Sequence, residues 1–259
     1  MMSRWPLPRI LAHRGGGTLA PENTLAAMRC GLQHGFRAVE FDVMLAHDGV
    51  PVVIHDHRLG RTVAGSAEIA LLTSAALSVM DAGSWFDARF CGEPVPTFER
   101  VFGFCRDNDI WMNIEIKPTP GTEVQTGHVV ATLVQQWLLQ PRHQRQHQNM
   151  LPLLSSFSID ALLAAQVSAP ALPRGLLVDR VPTDWLPQLQ RVAAIALHAN
   201  QKTMTSMFAS QITDAGYGLL CYTVDDVERA AELLRWGVDA LCTDRLDLID
   251  PHFAGKYFS

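Results

Sequence analysis

The chain has little of several features that mark specialised classes of protein. It contains no apolar run of the roughly 18–20 residues that a membrane-spanning helix needs, and its first segment, MMSRWPLPRI, lacks the apolar core of a secretory signal. Its 21 Lys and Arg are outnumbered by 26 Asp and Glu, which gives a formal net charge of −5. A nucleic-acid-binding surface needs a basic surplus. We therefore expect no nucleic-acid partner and no stable membrane association.

The cysteines are too few and too scattered for a disulfide framework. There are five, with no C-x-x-C pair, at Cys30, Cys91, Cys105, Cys221 and Cys242. An odd number of widely spaced cysteines is typical of reduced thiols inside the cell. The pattern therefore predicts a cytoplasmic protein.

Short strand-like runs alternate with longer amphipathic stretches along the chain. The predicted strands are 9–13, 38–43, 51–55, 111–117, 151–157, 174–179, 194–198, 217–224 and 240–243. The predicted helices are 24–34, 97–108, 127–139, 159–167, 183–191, 202–215 and 225–236. Such alternation indicates a parallel sheet with helical crossovers, and a length near 250 residues is typical of a (β/α)₈ TIM barrel.

Nine strands are predicted for the eight places of such a barrel, so one of them must pair differently. Asp48-Gly49 is a tight-turn signal, and the segment around it is too short to hold a crossover helix. We therefore predict that residues 51–55 return antiparallel to residues 38–43. A short turn then places His55 beside Phe41.

The segment from residue 56 to residue 96 is too long for a plain connection, and we interpret it as an excursion over the barrel mouth. Residues 107–109 and 141–149 are predicted to be polar loops. The chain shows no internal repeat, low-complexity tract or linker. We predict one α/β domain over residues 1–259, a TIM barrel with a small insertion at about 56–96 after the strand that carries His55.

Three carboxylates lie at or near the ends of predicted strands, where barrels of this class build their active sites. Glu40 and Asp42 face the same side of one strand, and Glu115 lies on a later strand. Carboxylates that meet inside a barrel repel one another unless a cation lies between them. Oxygen donors without a paired His or Cys favour Mg²⁺, Ca²⁺ or Mn²⁺ over zinc. The alternative is that one or two of these acids are solvated.

Two of the ten histidines are predicted to transfer protons. His13 and His55 lie at strand ends, and an ordinary histidine pKa near 6.5 lets one act as base and the other as acid. Of the others, His34, His128, His143, His147 and His252 are taken as surface or core residues, and His47, His57 and His198 stay undecided.

Positive charge near these acids comes from Arg14 and Lys117. A guanidinium group can bind two oxygens of an anion such as phosphate, whereas an ammonium group acts as a point charge. Lys117 shares a strand face with Glu115, so an internal salt bridge is an equal alternative. The glycines at 15–17 free the backbone to approach a ligand closely.

Short motifs run in order over about residues 9–245. They are His13–Gly15, Pro21–Thr24, Glu40 with Asp42, Asp48–Asp56, Glu115 with Lys117, Ser155–Phe157 and Gly237–Asp244. Each motif alone is weak, but in this order and spacing they strongly resemble the glycerophosphodiester phosphodiesterase family. The resemblance implies hydrolysis of glycerophosphodiesters to sn-glycerol 3-phosphate and an alcohol.

The resemblance also implies roles for the candidate residues. It implies a divalent cation, Mg²⁺ or Ca²⁺ with Mn²⁺ as a further option, held by Glu40, Asp42 and Glu115. His13 and His55 are implied as the acid–base pair.

Further residues would surround the substrate. Arg14 and Lys117 would lie near the phosphate, and Glu22 and Asn23 would brace the mouth through hydrogen bonds. Tyr222 replaces the tryptophan usual in the family, which bears on how the glycerol or alcohol moiety packs. The insertion would help to enclose the glycerol end.

The sequence leaves several alternatives open. The nucleophile is either water or the neighbouring glycerol hydroxyl, either histidine can be the acid, and a homo-oligomer is compatible with the chain. A phospholipase acting on intact lipid, a non-catalytic binding barrel and an unrelated metal-dependent aldolase or isomerase are the rival functions. Binding to lipid vesicles would indicate the phospholipase, and loss of a histidine or carboxylate would indicate the non-catalytic barrel. A substrate screen would identify the aldolase or isomerase.

Overall fold

A computed structural model describes residues 5–140 and 150–257. The strands are β1 Ile10–Ala12, β2 Ala38–Leu45, β3 Pro51–Val53, β4 Trp111–Ile116, β5 Leu153–Ser156, β6 Arg174–Val178, β7 Ala196–Asn200, β8 Gly218–Tyr222 and β9 Ala240–Thr243. All except β3 form a closed parallel barrel, because β1 pairs with both β9 and β2. The predicted (β/α)₈ TIM barrel is confirmed, and the predicted polar loop at 141–149 lies outside the described residues.

The helices pack outside the barrel or lie within the insertion. They are α1 Leu25–Gln33, α2 Ser74–Leu77, α3 Phe98–Asp107, α4 Glu123–Leu139, α5 Ile159–Ser168, α6 Trp185–Arg191, α7 Ser206–Asp214 and α8 Val227–Arg235, with short 3-10 helices at Gly17–Leu19, Ile69–Leu71, Ala88–Phe90 and Phe253–Lys256. No helix in the described ranges is both long enough and apolar enough to cross a membrane.

The ends of α8 show how local sequence places a helix. The Asp226 side chain accepts a hydrogen bond from the backbone N–H of Arg229, which caps the first turn. Gly237 follows the helix with a φ of +89°, a conformation that glycine adopts without strain. The predicted helix also included Asp225, which instead lies before it and accepts the backbone N–H of Asp244.

The third strand is a hairpin return, as predicted. Val53 of β3 lies opposite Val43 of β2 in an antiparallel register, and Gly49 forms the turn with a φ of +74°. Continuing this register places His55 opposite Phe41. The hairpin therefore delivers a histidine to the carboxyl end of the barrel, next to the inward face of β2.

Apolar side chains close the other end of the barrel. The inner layer comprises Trp5, Leu11, Ala38, Trp111, Leu153, Ala196, Leu220, Ala240 and Cys242, most of which begin their strands. Trp5 is almost fully buried, and its indole N–H donates to the carbonyl of Pro8 at 3.0 Å. A larger apolar layer lies between the barrel and its helices. Among residues 5–140 and 150–257, the polar groups inside the barrel are therefore reached from the carboxyl end of the strands.

The insertion has a small core of its own, built against the β2–β3 hairpin. Its buried members are Met44, Ala46, Val52, Ile54, Val63, Ile69, Leu77, Ala82 and Val95. Burying these side chains anchors an otherwise irregular segment, since each large apolar side chain contributes about 1.5–3 kcal/mol. The insertion is therefore held beside the barrel mouth rather than left as a free loop.

Candidate active site

Strand register brings three carboxylates together at the carboxyl end of the barrel. Asp42 on β2 lies directly opposite Glu115 on β4, and Glu40 precedes Asp42 by two residues on the same face. One oxygen of each carboxylate lies within 4.8 Å of the other two. All three side chains are buried. The residues predicted to hold a metal ion therefore converge on one point.

Asp42 is the charged centre of this cluster. Lys117 Nζ lies 3.1 Å from Asp42 Oδ1, and the Asn23 side-chain amide donates to Asp42 Oδ2 at 2.8 Å. Arg14 Nε lies 3.6 Å from the same Oδ2. Burial opposes ionisation of Asp42, but Lys117 and Arg14 outweigh it and hold its pKa well below the usual range. Asp42 is therefore ionised, and the alternative that Lys117 forms an internal salt bridge is what the structure shows.

The other two carboxylates have the opposite electrostatics. Burial and the nearby charge of Asp42 raise the pKa of Glu40 to about 7 and that of Glu115 to about 8. Glu115 Oε1 is buried and accepts no hydrogen bond from any described residue, although Lys117 Nζ lies 3.5 Å away. A divalent cation would satisfy that oxygen and offset the repulsion between the acids. The donor set, three carboxylates without Cys or His, fits a hard ion such as Mg²⁺ or Ca²⁺.

His13 is oriented toward this cluster by the carboxylate of Asp244, which lies outside the cluster. Because Ala12 of β1 pairs with Val39 of β2, His13 lies next to Glu40, and its Nε2 is 3.8 Å from Glu40 Oε2. The opposite ring nitrogen, Nδ1, hydrogen-bonds Asp244 Oδ1 at 2.7 Å. Burial lowers the pKa of His13, but the hydrogen bond to Asp244 and the charge of Glu40 more than compensate and raise it.

His55 is oriented in the same manner by its own neighbour in the chain. Its Nδ1 lies 2.7 Å from Asp56 Oδ1, and it lines the same pocket as His13. Hydrogen bonds from Arg61 and His55 outweigh the effect of burial and lower the pKa of Asp56 to about 2. Because an ionised carboxylate can only accept, the proton sits on Nδ1 and leaves Nε2 available. Burial, with Arg14 and Lys117, outweighs Asp42 and lowers the pKa of His55.

The loop after β1 adopts unusual backbone conformations. Arg14 has a φ of +50°, and its backbone N–H donates to Glu40 Oε2 at 3.2 Å. Non-glycine residues in this region are strained and commonly belong to functional sites. Gly17 also lets the loops after β1 and β9 pack together, because an added Cβ would clash with the Asp244 carbonyl oxygen. The close approach of these glycines to a ligand stays a prediction.

Glu22 belongs to a charged network at the mouth. It accepts hydrogen bonds from Arg14 at 2.6 Å and from two nitrogens of Arg61 at 2.6 and 2.7 Å. Arg61 also binds Asp56, the partner of His55. Sequence reasoning assigned no role to Asp56, Asp244 or Arg61. Asp56 and Asp244 lie inside the family-like motifs Asp48–Asp56 and Gly237–Asp244, and that position could have indicated a functional role. Arg61 lies in the insertion, outside those motifs, so no sequence signal indicated its role.

A pocket with a cavity volume of about 190 Å³ opens above the carboxylates. Both histidines, Arg14 and Lys117 line it, together with the aromatic side chains of Phe157 and Tyr222. The Tyr222 hydroxyl donates to the Val178 carbonyl at 2.9 Å, so its ring rather than its hydroxyl faces the pocket. The rings of Phe157 and Tyr222 meet edge to face at 6.1 Å. The pocket therefore has an apolar part, which includes these two rings, and a charged part, which includes the carboxylates with Arg14 and Lys117.

His198 is buried under this pocket and gives a prediction about acid stability. Neither ring nitrogen has a hydrogen-bond partner among the described residues, and burial lowers the pKa of His198 to about 3. The unfolded chain binds a proton at the ordinary pKa near 6.5, so the folded state loses stability as pH falls from about 6.5 toward 3, by about 1.4 kcal/mol per pH unit. His198→Gln should lack this dependence. Urea titrations of both proteins at pH 7, 5.5 and 4 measure it, and parallel pH profiles would contradict it.

The remaining histidines lie away from the pocket. His47 and His57, which the sequence left undecided, are exposed in or beside the insertion, and His47 Nδ1 lies 3.3 Å from the Ala70 carbonyl. His34, His128 and His252 are on the surface, as expected. His143 and His147 lie outside the described residues.

This fold and site define the class of barrel enzymes whose chemistry is performed at the carboxyl ends of the strands. The family model described as "Glycerophosphoryl diester phosphodiesterase family" matches residues 13–248. The chain belongs to this family and is a phosphoric diester hydrolase. The resemblance seen in the motifs is confirmed.

Individual relatives match over nearly their full length. A glycerophosphodiester phosphodiesterase from Caldanaerobacter subterraneus subsp. tengcongensis is 31% identical over 91% of this chain and 93% of its own. The structure of an Oleispira antarctica phosphodiesterase in complex with the product sn-glycerol-3-phosphate is 33% identical, covers 95% and 96% of the two chains, and superposes with a TM-score of 0.87. A glycerophosphodiester phosphodiesterase from Agrobacterium tumefaciens is 28% identical over 96% and 100%, with a TM-score of 0.74.

Proposed function

We propose that this enzyme hydrolyses glycerophosphodiesters to sn-glycerol 3-phosphate and an alcohol, with a divalent cation and two histidines. The observation that carries the proposal is the pocket in which His13 and His55 flank the cluster of Glu40, Asp42 and Glu115. The product bound to the Oleispira antarctica relative supports the choice of substrate.

The two histidines supply the proton transfers. One removes the proton of the nucleophile, water or the neighbouring glycerol hydroxyl, as its oxygen bonds to phosphorus. The other gives a proton to the alcohol oxygen as the phosphorus–oxygen bond breaks. If the glycerol hydroxyl is the nucleophile, the cyclic phosphodiester that forms is then opened by water, and the two histidines exchange their roles in that second step. Asp244 and Asp56 keep Nδ1 of each ring protonated, so the proton is exchanged at Nε2. Each such role is typically worth about 10²–10⁴ in rate.

Glu40, Asp42 and Glu115 are the residues that would hold the cation. Mg²⁺ or Ca²⁺ fits the oxygen donors, with Mn²⁺ as a further option. Such an ion would neutralise negative charge on the phosphate oxygens. Lys117 and Arg14 offset the negative charge of Asp42 and therefore lie next to the carboxylates that would hold the cation. We propose that both cations contact the phosphate while keeping their carboxylate partners.

The periphery of the pocket supports further proposals. Glu22 and Asn23 hold Arg14 and Asp42 through hydrogen bonds, which is how they would brace the mouth. The Tyr222 ring would pack against the glycerol or alcohol moiety. The insertion presents Trp85 and Phe86 to an adjoining pocket that also contacts His13, which supports the proposal that it helps to enclose the substrate. The five free cysteines support the proposal of a cytoplasmic enzyme.

Removal of divalent ions should abolish activity, because the acids of the cluster would lack the charge that balances them. The assay couples released sn-glycerol 3-phosphate to its dehydrogenase and follows reduction of the nicotinamide cofactor, using several glycerophosphodiesters as substrates. Enzyme treated with EDTA and then desalted should be inactive, and Mg²⁺, Ca²⁺ or Mn²⁺ added back should restore turnover. Full activity after exhaustive chelation would refute the metal dependence, and no release from any diester would refute the substrate class.

A further inference from the structure

Arg61 uses its whole guanidinium group to bridge two carboxylates at the rim of the pocket. Its Nε donates to Asp56 Oδ2 at 2.7 Å, and its NH2 lies 3.1 Å from Asp56 Oδ1. On the other side, NH1 donates to Glu22 Oε2 at 2.6 Å and NH2 to Glu22 Oε1 at 2.7 Å. Both contacts are two-pronged, which fixes the relative orientation of the three groups.

Each of these carboxylates also binds a group that lines the pocket. Asp56 Oδ1 accepts the hydrogen bond of His55 Nδ1 at 2.7 Å, and Glu22 Oε1 accepts that of Arg14 NH1 at 2.6 Å. A continuous chain of hydrogen bonds therefore runs from the imidazole of His55 to the guanidinium of Arg14. Arg61 is the central link of that chain, and it is supplied by the insertion rather than by the barrel.

We propose that Arg61 is a positioning residue that holds His55 and Arg14 in their working orientations at the same time. The inference rests on the proposed function, in which His55 transfers a proton and Arg14 contacts the phosphate. Without Arg61, the Asp56 and Glu22 carboxylates would repel each other across the rim and could rotate away from their partners. A turned imidazole no longer presents Nε2 to the pocket, and misplacement of a reacting group by about 1 Å can cost a hundredfold in rate.

Charge alone does not account for the role of Arg61. Its side chain is 45% exposed, so its ion pairs contribute little to folding. Lysine offers one compact charge, whereas the guanidinium fork reaches four oxygens of two carboxylates at once. The loss on substitution should therefore appear in kcat, with little change in thermal stability, and lysine should be a poor replacement.

The test compares Arg61→Ala with Arg58→Ala, a matched variant in the same insertion. Arg58 is 67% exposed, pairs only loosely with Glu68 at 3.7 Å and does not line the pocket. We expect Arg61→Ala to lower kcat by about 10- to 100-fold, with an unchanged melting temperature, and Arg58→Ala to match the wild type. Guanidinium at millimolar concentration should restore part of the lost kcat, because the vacated site is open to solvent, while ammonium or sodium at equal ionic strength should not.

A second readout does not depend on turnover. In ¹⁵N–¹H spectra of the histidine rings, the Nδ1–H signal of His55 should lose its hydrogen-bonded shift in Arg61→Ala and keep it in Arg58→Ala. An Arg61→Ala enzyme with normal kcat, or a loss that guanidinium does not reverse and that leaves the His55 signal unchanged, would overturn the proposal. A wild type that hydrolyses no glycerophosphodiester would instead refute the proposed function, and the ring spectra would still decide whether Arg61 orients His55.

Discussion

Removing either imidazole, in His13→Ala or His55→Ala, should lower kcat by at least about a hundredfold, because each ring performs one of the two proton transfers. The rings occupy the same pocket on either side of the carboxylate cluster, and each has a carboxylate on its far nitrogen. A purely structural histidine would not need this arrangement. Both variants should keep the fold, since neither ring belongs to an apolar core.

The measurement is steady-state release of sn-glycerol 3-phosphate by folded, purified protein. His47→Ala serves as the matched control, because His47 is exposed and outside the pocket. Circular dichroism and the melting temperature would establish that each variant is folded. Near-normal turnover in either His13→Ala or His55→Ala would remove that ring from the mechanism. A double variant no slower than the singles would show that the two act as one unit.

The second large effect concerns Glu115→Gln, which should weaken metal binding and activity while stabilising the metal-free protein. Burial and Asp42 raise the pKa of Glu115 to about 8, well above its ordinary value near 4.5. When folding raises the pKa of an acid, the folded state loses stability as pH rises from the pKa of the unfolded chain to the pKa of the folded protein. At pH 8 the free energy of unfolding of the metal-free variant should therefore exceed that of the wild type by roughly 1–3 kcal/mol. This is less than the full pKa shift of Glu115 implies, because Lys117 loses one carboxylate partner.

Two experiments separate these opposite effects. Denaturant titration in EDTA at pH 5 and pH 8 should show the gain in Glu115→Gln growing with pH. Electron paramagnetic resonance of Mn²⁺ should show weaker binding to the variant, and added ions should raise the melting temperature of the wild type more than that of the variant. Glu228→Gln, an exposed position on α8, is the control. Equal Mn²⁺ affinity in Glu115→Gln and wild type would exclude Glu115 as a ligand.

Much of the scaffold followed from local sequence signals. Short strand-like runs that alternate with longer amphipathic stretches located the strands, and the turn at Asp48-Gly49 with too few residues for a crossover identified the hairpin. That step also predicted the register that sets His55 opposite Phe41. The helix ends were less accurate, as the placement of Asp225 outside α8 shows, because side chains such as Asp225 can form tertiary hydrogen bonds that local propensity does not anticipate.

The sequence by itself determined the barrel and the residue types available at its mouth, because the spacing of apolar and polar residues reflects the geometry of single strands and helices. Only the tertiary structure decided how those residues are paired. The contact between His13 and Asp244 joins residues 231 positions apart, and Arg61 reaches back across 39 positions to Glu22. Such partnerships arise when barrel closure and the folded insertion bring distant loops together. Burial in that closed structure also sets the different ionisation of Asp42 and its two carboxylate neighbours.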